Sequence, residues 1–167
     1  MIKVKRFFLE ILSADLVESE IQLTADVEIK QEKRNFEINK FFYKQIGIDH
    51  YWRDRLVWSD REWTSYLTNK NLETWTMKSK GHLVGFYELE FHRDTNEVEL
   101  INMGVLKDYR GKKFGSKLLS HSINISCAKK PSRMWVHTCS LDHKFALTNY
   151  KSRGFKIFKE EEINFVA

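Results

Sequence analysis

The 167-residue sequence predicts one mixed α/β (α+β) domain built on a mostly antiparallel sheet. Three observations predict it. Residues 72 to 105 read as three strands joined by turn chemistry. Residues 115 to 160 alternate helix and strand. The composition, 42% hydrophobic and 14% aromatic, is that of a chain with a packed core. A chain of this length buries roughly two thirds of its unfolded surface, and no run approaches the roughly 20 apolar residues that a bilayer span needs. The expectation is a single domain over 1–167, with no membrane partner.

Taken in order, residues 2 to 12 are rich in large apolar side chains and read as a first strand. Glu10 and the lack of a small-residue cleavage pattern argue against a secretion signal. A second strand is expected at about 21 to 30. Phe36 to Ile46 reads as a helix ended by Gly47. Ser59 stands three residues before Glu62, the capping-box spacing, and Trp63, Tyr66 and Leu67 recur at helical intervals, so a second helix is expected to end near Asn69. Leu72 to Met77, Leu83 to Phe91 and Val98 to Val105 then form an antiparallel meander, with turns at Ser79-Lys80-Gly81 and Asp94-Thr95-Asn96. A helix over Gly115 to Cys127, a strand over Met134 to Thr138, a helix over Asp142 to Arg153 and a last strand from Phe155 complete the domain. Pro131 and Gly154 supply breaks.

The net charge of +5 is local. Residues 107 to 133 hold eight Lys and Arg against Asp108, while the other 140 residues carry 20 basic and 22 acidic side chains. Such a patch suits nucleic acid, an acidic surface or a phosphate-bearing small molecule. Two separated cysteines, Cys127 and Cys139, suit neither a disulfide framework nor a metal site, so a reducing cytoplasm and no metal are expected.

The densest chemistry lies in Val105-Leu-Lys-Asp-Tyr-Arg110-Gly111-Lys112-Lys113-Phe114-Gly115-Ser116-Lys117, where a strand passes through a basic, glycine-containing turn into an amphipathic helix. Free N–H groups at a helix start, with glycines that admit close approach, suit a pyrophosphate. Charge alone favours an ordinary solvated turn. Gly111 and Gly115 are too close for a Walker-type loop, Lys117 follows Ser116 rather than preceding it, and no Gly-x-Gly-x-x-Gly is present.

Arg110-Gly111-Lys112-Lys113-Phe114-Gly115 resembles the Arg-x-x-Gly-x-Gly/Ala signature of the GNAT acyltransferase superfamily, with Lys113 in place of the middle glycine. Ala146-x-x-x-Tyr150-x-x-x-Gly154-Phe155 resembles that superfamily's closing helix and strand, in the same order along the chain. Trp135 to His143 and Gly85 to Leu89 resemble an uncharacterised bacterial subgroup. The resemblance spans roughly 50 to 160, and 1 to 48 only weakly. It implies a three-layer fold whose sheet has splayed central strands flanked by helices. Acetyl-CoA would be the co-substrate and a small-molecule or peptide amine the acceptor. A homodimer stays open, and nucleic acid becomes the weaker partner.

On that resemblance the coenzyme is held by Met103, Gly104, Val105, Arg110, Gly111, Lys112, Lys113, Phe114, Gly115, Ser116, His143 and Tyr150. His143 stands where many relatives have Asn, and is assigned to the helix cap or the pantetheine arm. A bulge near Met103-Gly104 is expected to splay the strand, turning the N–H groups at 104 and 105 toward the thioester. Tyr150 is the expected acid for the departing thiolate. Glu99, at the motif-aligned position, is the expected base, acting directly or through water, with Glu88 and Glu90 as rivals. His137 and Cys139 alternate on one strand and make no catalytic dyad without a turn. Aromatics between Phe41 and Tyr66, interleaved with Arg53, Arg55 and Arg61, are expected to hold the acceptor, most of them serving as core. A catalytically silent coenzyme-A sensor and a basic nucleic-acid binder are the alternatives.

Overall fold

The structure is a computed structural model that describes residues 1–166. Among them seven strands form one sheet, β1 (Ile2–Leu12), β2 (Val27–Gln31), β3 (Leu72–Ser79), β4 (His82–His92), β5 (Glu97–Val105), β6 (Arg133–Cys139) and β7 (Lys156–Phe165), in the order β2-β3-β4-β5-β6-β1-β7. Every pair is antiparallel except β5 with β6. α3 (Phe114–Ala128) and α4 (Ala146–Ser152) cover one face, and α1 (Phe36–Gly47) and α2 (Asp60–Leu67) the other.

The α3 face carries the main core. Val98, Leu100, Met134 and Val136 from alternate positions of β5 and β6 pack on Leu118, Leu119 and Ile123 of α3, and Tyr150 and Phe155 close the same cluster. On the opposite face Phe42 and Ile46 of α1 pack on Phe86, whose ring stacks on Phe42 at 4.7 Å. The Ser59–Glu62 capping box forms in full and starts α2 where the spacing predicts.

Three expectations need correction. The second strand begins at Val27, not near 21, because Thr24 and Asp26 form a local turn that leads into it. α4 covers only Ala146–Ser152, since Asp142 spends its side chain on the end of β6 and Phe145 N–H is taken by His143 Nδ1. The interruption of β5 lies at Ile101, not at Met103-Gly104: Glu88 faces Asn102 while Leu89 faces Leu100, leaving Ile101 as the extra residue. Gly104 answers a different need, because a Cβ there would lie 2.8 Å from Ile46 Cγ2 and push α1 off the sheet.

β1 is read correctly as a strand, but its place was not legible. It lies between β6 and β7, pairing Phe8 with His137 on one side and with Lys159 on the other. The first and last strands of the chain are therefore neighbours, with Ile2 opposite Phe165.

Candidate active site

β5 and β6 pair only from Glu97–Arg133 to Leu100–Val136. Beyond that point β5 follows β4, with Asn102 on Glu88 through Val105 on Gly85. β6 instead follows β1, with His137 on Phe8 through Cys139 on Arg6. Each strand keeps one partner and loses the other, so the sheet splits. A cleft of about 710 Å³ occupies the gap, walled by both free strand ends, the start of α3, α4 and the loop after α1.

The wall from α3 is set by backbone conformation. Lys113 is the N-cap of α3 at φ 65°, ψ 13°, the left-handed region that an L residue enters at a cost of about 1 kcal/mol. Gly111 is also left-handed, at φ 81°. Two left-handed residues around one turn aim successive N–H groups inward. Among the described residues no group accepts a hydrogen bond from the main-chain N–H groups of 111 to 116. α3 thus presents a concave set of free donors at the positive end of its dipole.

Arg110 braces this turn. Its Nε donates to Val105 O at 3.1 Å and its Nη1 to Asp49 Oδ2 at 3.2 Å, while Nη2 is buried with no partner among the described residues. Across the cleft, Ser116 Oγ donates to Asn149 Oδ1 at 3.3 Å and ties α3 to α4. Tyr150, 7% exposed, packs its ring on Phe155 at 5.7 Å and lines the cleft, and its hydroxyl has no hydrogen-bond partner among the described residues. Burial, reinforced by the Asp142 carboxylate, pushes its pKa above the ordinary tyrosine value, so it is protonated at neutral pH.

Of the residues expected to hold a coenzyme, all but Lys112 line this cleft. Lys112 instead lies over the Tyr109 ring at 5.7 Å. His143 lines it beside His50, at 6.0 Å between rings. Burial, then the Arg110 guanidinium, lowers the pKa of both. The two glutamates do not reach the cleft. Glu99 sits where β5 and β6 are still paired, 3.0 Å from His92 Nε2. Glu88, 1% exposed, accepts from Asn39 Nδ2 (2.5 Å), Asn102 Nδ2 (2.9 Å), Arg55 Nη1 (3.1 Å) and Tyr66 hydroxyl (3.1 Å), which leaves it no lone pair for a substrate proton. Arg55 is itself enclosed by Tyr43, Trp58, Trp63 and Tyr66, so the predicted aromatic and arginine cluster is largely one buried ion pair and its cage.

Three cleft residues, Asp142, Asn102 and Asn149, had no site role in the sequence reading. Asp142 accepts from Thr138 Oγ1 (2.6 Å), Cys139 N (2.9 Å) and Trp52 Nε1 (3.2 Å), joining the free end of β6 to the loop after α1. Asn102, Asn149 and Trp52 meet their partners only through the fold. The one local signal was an Asp placed where a turn residue caps. That loop also brings Tyr51, at φ 59°, onto Phe165 at 5.7 Å, with the Arg53 guanidinium over both rings. Cys139 lines the cleft as a thiol whose pKa burial, and then Asp142, raises.

Comparison with known proteins adds three observations. The model of the Acetyltransferase (GNAT) family matches residues 34–155. An aminoglycoside acetyltransferase from an uncultured soil metagenomic sample, solved with trehalose, superposes with a TM-score of 0.65 at 12% identity, over 80% of this chain and 90% of that one. A GCN5-related N-acetyltransferase from Sphaerobacter thermophilus gives 0.72 at 12% identity, over 94% of this chain and 49% of that one, and the IAA acetyltransferase of Bacillus cereus gives 0.58 at 23%, over 80% and 79%. At these identities the likeness is one of fold. The curated proteins contain no match.

Proposed function

The chain belongs to the acetyltransferase (GNAT) family, and from that premise we propose that it is an acyl-CoA-dependent N-acyltransferase, moving acetyl from acetyl-CoA to a primary amine by direct attack in a ternary complex. The observation that carries this reading is the juxtaposition of the split between β5 and β6 with the unpaired N–H groups of 111 to 116. The residues present fit the coenzyme: a concave set of main-chain donors, the partnerless Nη2 of Arg110 and the side chain of Lys113 suit a pyrophosphate. The free edge of β5 at Met103, Gly104 and Val105 suits an amide-bearing arm lying as a strand would. When bound, acetyl-CoA would supply the activated thioester.

Phe114, Gly115, Ser116 and His143 complete the coenzyme wall, and residues 1–167 act as one domain. Tyr150 donates its proton to the leaving thiolate. Its raised pKa keeps that proton until negative charge develops on sulfur. Cys139 keeps its proton for the same reason of burial, which supports direct attack over an acetyl-cysteine intermediate. The acceptor is a small-molecule or peptide amine. The test is a thermal shift with acetyl-CoA, followed by thiol-release screening over amino acids, polyamines, aminoglycosides and peptide N-termini. A rise in melting temperature with thiol release is expected. No shift at saturating acetyl-CoA sinks the reading, and a shift without release from any amine converts the protein into a coenzyme-A sensor.

A further inference from the structure

Glu99 and Glu88 lie off the cleft, so neither takes the amine's proton directly, and the candidates for the group that does are the residues that line it. The last β5–β6 pair is Leu100–Val136, and both side chains point into the α3 core. His137, the next residue on β6, therefore points to the opposite face, and its ring lines the cleft. Asn102 lines the other lip on that same face, because its Nδ2 donates to Glu88, which is bonded to α1 through Asn39 and to α2 through Tyr66. A carboxylate only accepts, so Glu88 fixes the amide orientation and leaves Asn102 Oδ1 as the atom facing the opening. Among the described residues α1 contacts the sheet at β5, and the cleft that holds His137 and Asn102 extends to Arg6 of β1 and to Ile163 and Phe165 of β7, a route by which an acceptor can approach the point of the split.

We propose, resting on the transferase reading, that His137 is the general base for the acceptor amine, with Asn102 Oδ1 accepting a second N–H to hold the nitrogen. His137 takes one proton from the ammonium and passes it to solvent. The freed lone pair forms the C–N bond as the C–S bond of the thioester breaks. Tyr150 delivers its proton to sulfur and is restored by the second proton that nitrogen sheds. The charges facing His137 are Arg6 from β1, Glu99 from β5, Asp142 from the loop after β6 and Glu161 from β7, with Glu161 paired to Arg6 at 3.2 Å; Arg53 and Asp54 reach the cleft from the loop after α1. The residue is exposed, with one side of its ring against Phe8 at 5.7 Å. Partial desolvation, then Arg6, lowers its pKa, so the neutral, proton-accepting form prevails at pH 7.

The experiment compares His137→Gln with wild type, using acetyl-CoA and two kinds of probe amine. Hydroxylamine is already unprotonated at neutral pH, whereas ethanolamine, glycinamide and spermidine are ammonium ions. With the ammonium probes, His137→Gln should lose about 10²–10⁴ in kcat/KM, a loss that shrinks as pH rises. With hydroxylamine the loss should stay under about tenfold, and acetyl-CoA affinity should be unchanged. Wild-type kcat/KM should rise with pH through an inflection below about 6.5 that the variant lacks. An unchanged variant, or equal losses with both kinds of amine, overturns the proposal. Acetyl-CoA binding without wild-type release from any probe overturns the transferase reading itself, and this proposal with it.

Discussion

Arg110 and Asp49 form an ion pair at 3.2 Å that latches the loop after α1 to the turn before α3, although the two residues belong to opposite layers of the fold. The latch leaves one guanidinium nitrogen unpartnered beside the free N–H groups of the turn. Arg110 is thus both a brace and a donor with spare capacity.

Arg110→Ala should therefore weaken acetyl-CoA binding about tenfold to a hundredfold, the range of a lost charge-assisted hydrogen bond. Titration calorimetry checks it, with Asp49→Asn as the control that loosens the latch but spares the guanidinium. Equal affinity in wild type and Arg110→Ala would remove this arginine from the coenzyme site.

Tyr150→Phe removes an unpartnered hydroxyl and leaves the ring packed on Phe155. Turnover should fall by about 10²–10⁴ while acetyl-CoA affinity stays nearly constant. A variant with undiminished kcat would assign the thiolate's proton to solvent.

Lys113→Gly should relieve the left-handed N-cap by about 1 kcal/mol and raise the melting temperature of the free protein by about 2–4 °C. It should also weaken acetyl-CoA binding several-fold, because an ammonium beside the phosphates is lost. Scanning calorimetry with and without acetyl-CoA reads both effects, and a lower melting temperature for the free variant contradicts the strain argument.

Glu88→Ala leaves Arg55 charged and enclosed with no carboxylate. The expected cost is about 3–5 kcal/mol in urea unfolding. Glu99→Ala breaks a pair with His92 that is partly open to water, and should cost under about 1 kcal/mol. Similar losses in the two variants would mean that the Glu88 network is not the buried keystone described above.

Local pattern made much of the fold legible. The capping box at Ser59, the turns at Gly81 and Asn96, and the break at Pro131 are short-range signals, and the elements they bound appear within a few residues of expectation. The turn at 110 to 116 was legible for the same reason, since its glycines, its basic residues and the helix start are written in adjacent residues, whereas the left-handed Lys113 was seen only in the structure. The boundary of α4 failed because Asp142 answered distant donors on β6 and Trp52 rather than its own helix. Glu88 and Glu99 were misplaced because alternation tells which residues share a face, and says nothing of what lies over that face.

By itself, then, the sequence determined the order and kind of the elements, the phosphate-suited turn and a tyrosine on the closing helix, all of which depend on interactions within a few residues. Tertiary structure alone decided that β1 would lie between β6 and β7, where β6 parts from β5, that Glu88 would be sealed against Arg55, and that His137 and Asn102 would line the same cleft. Those outcomes are set by which strand takes which partner, a competition among long-range pairings whose register no local pattern specifies.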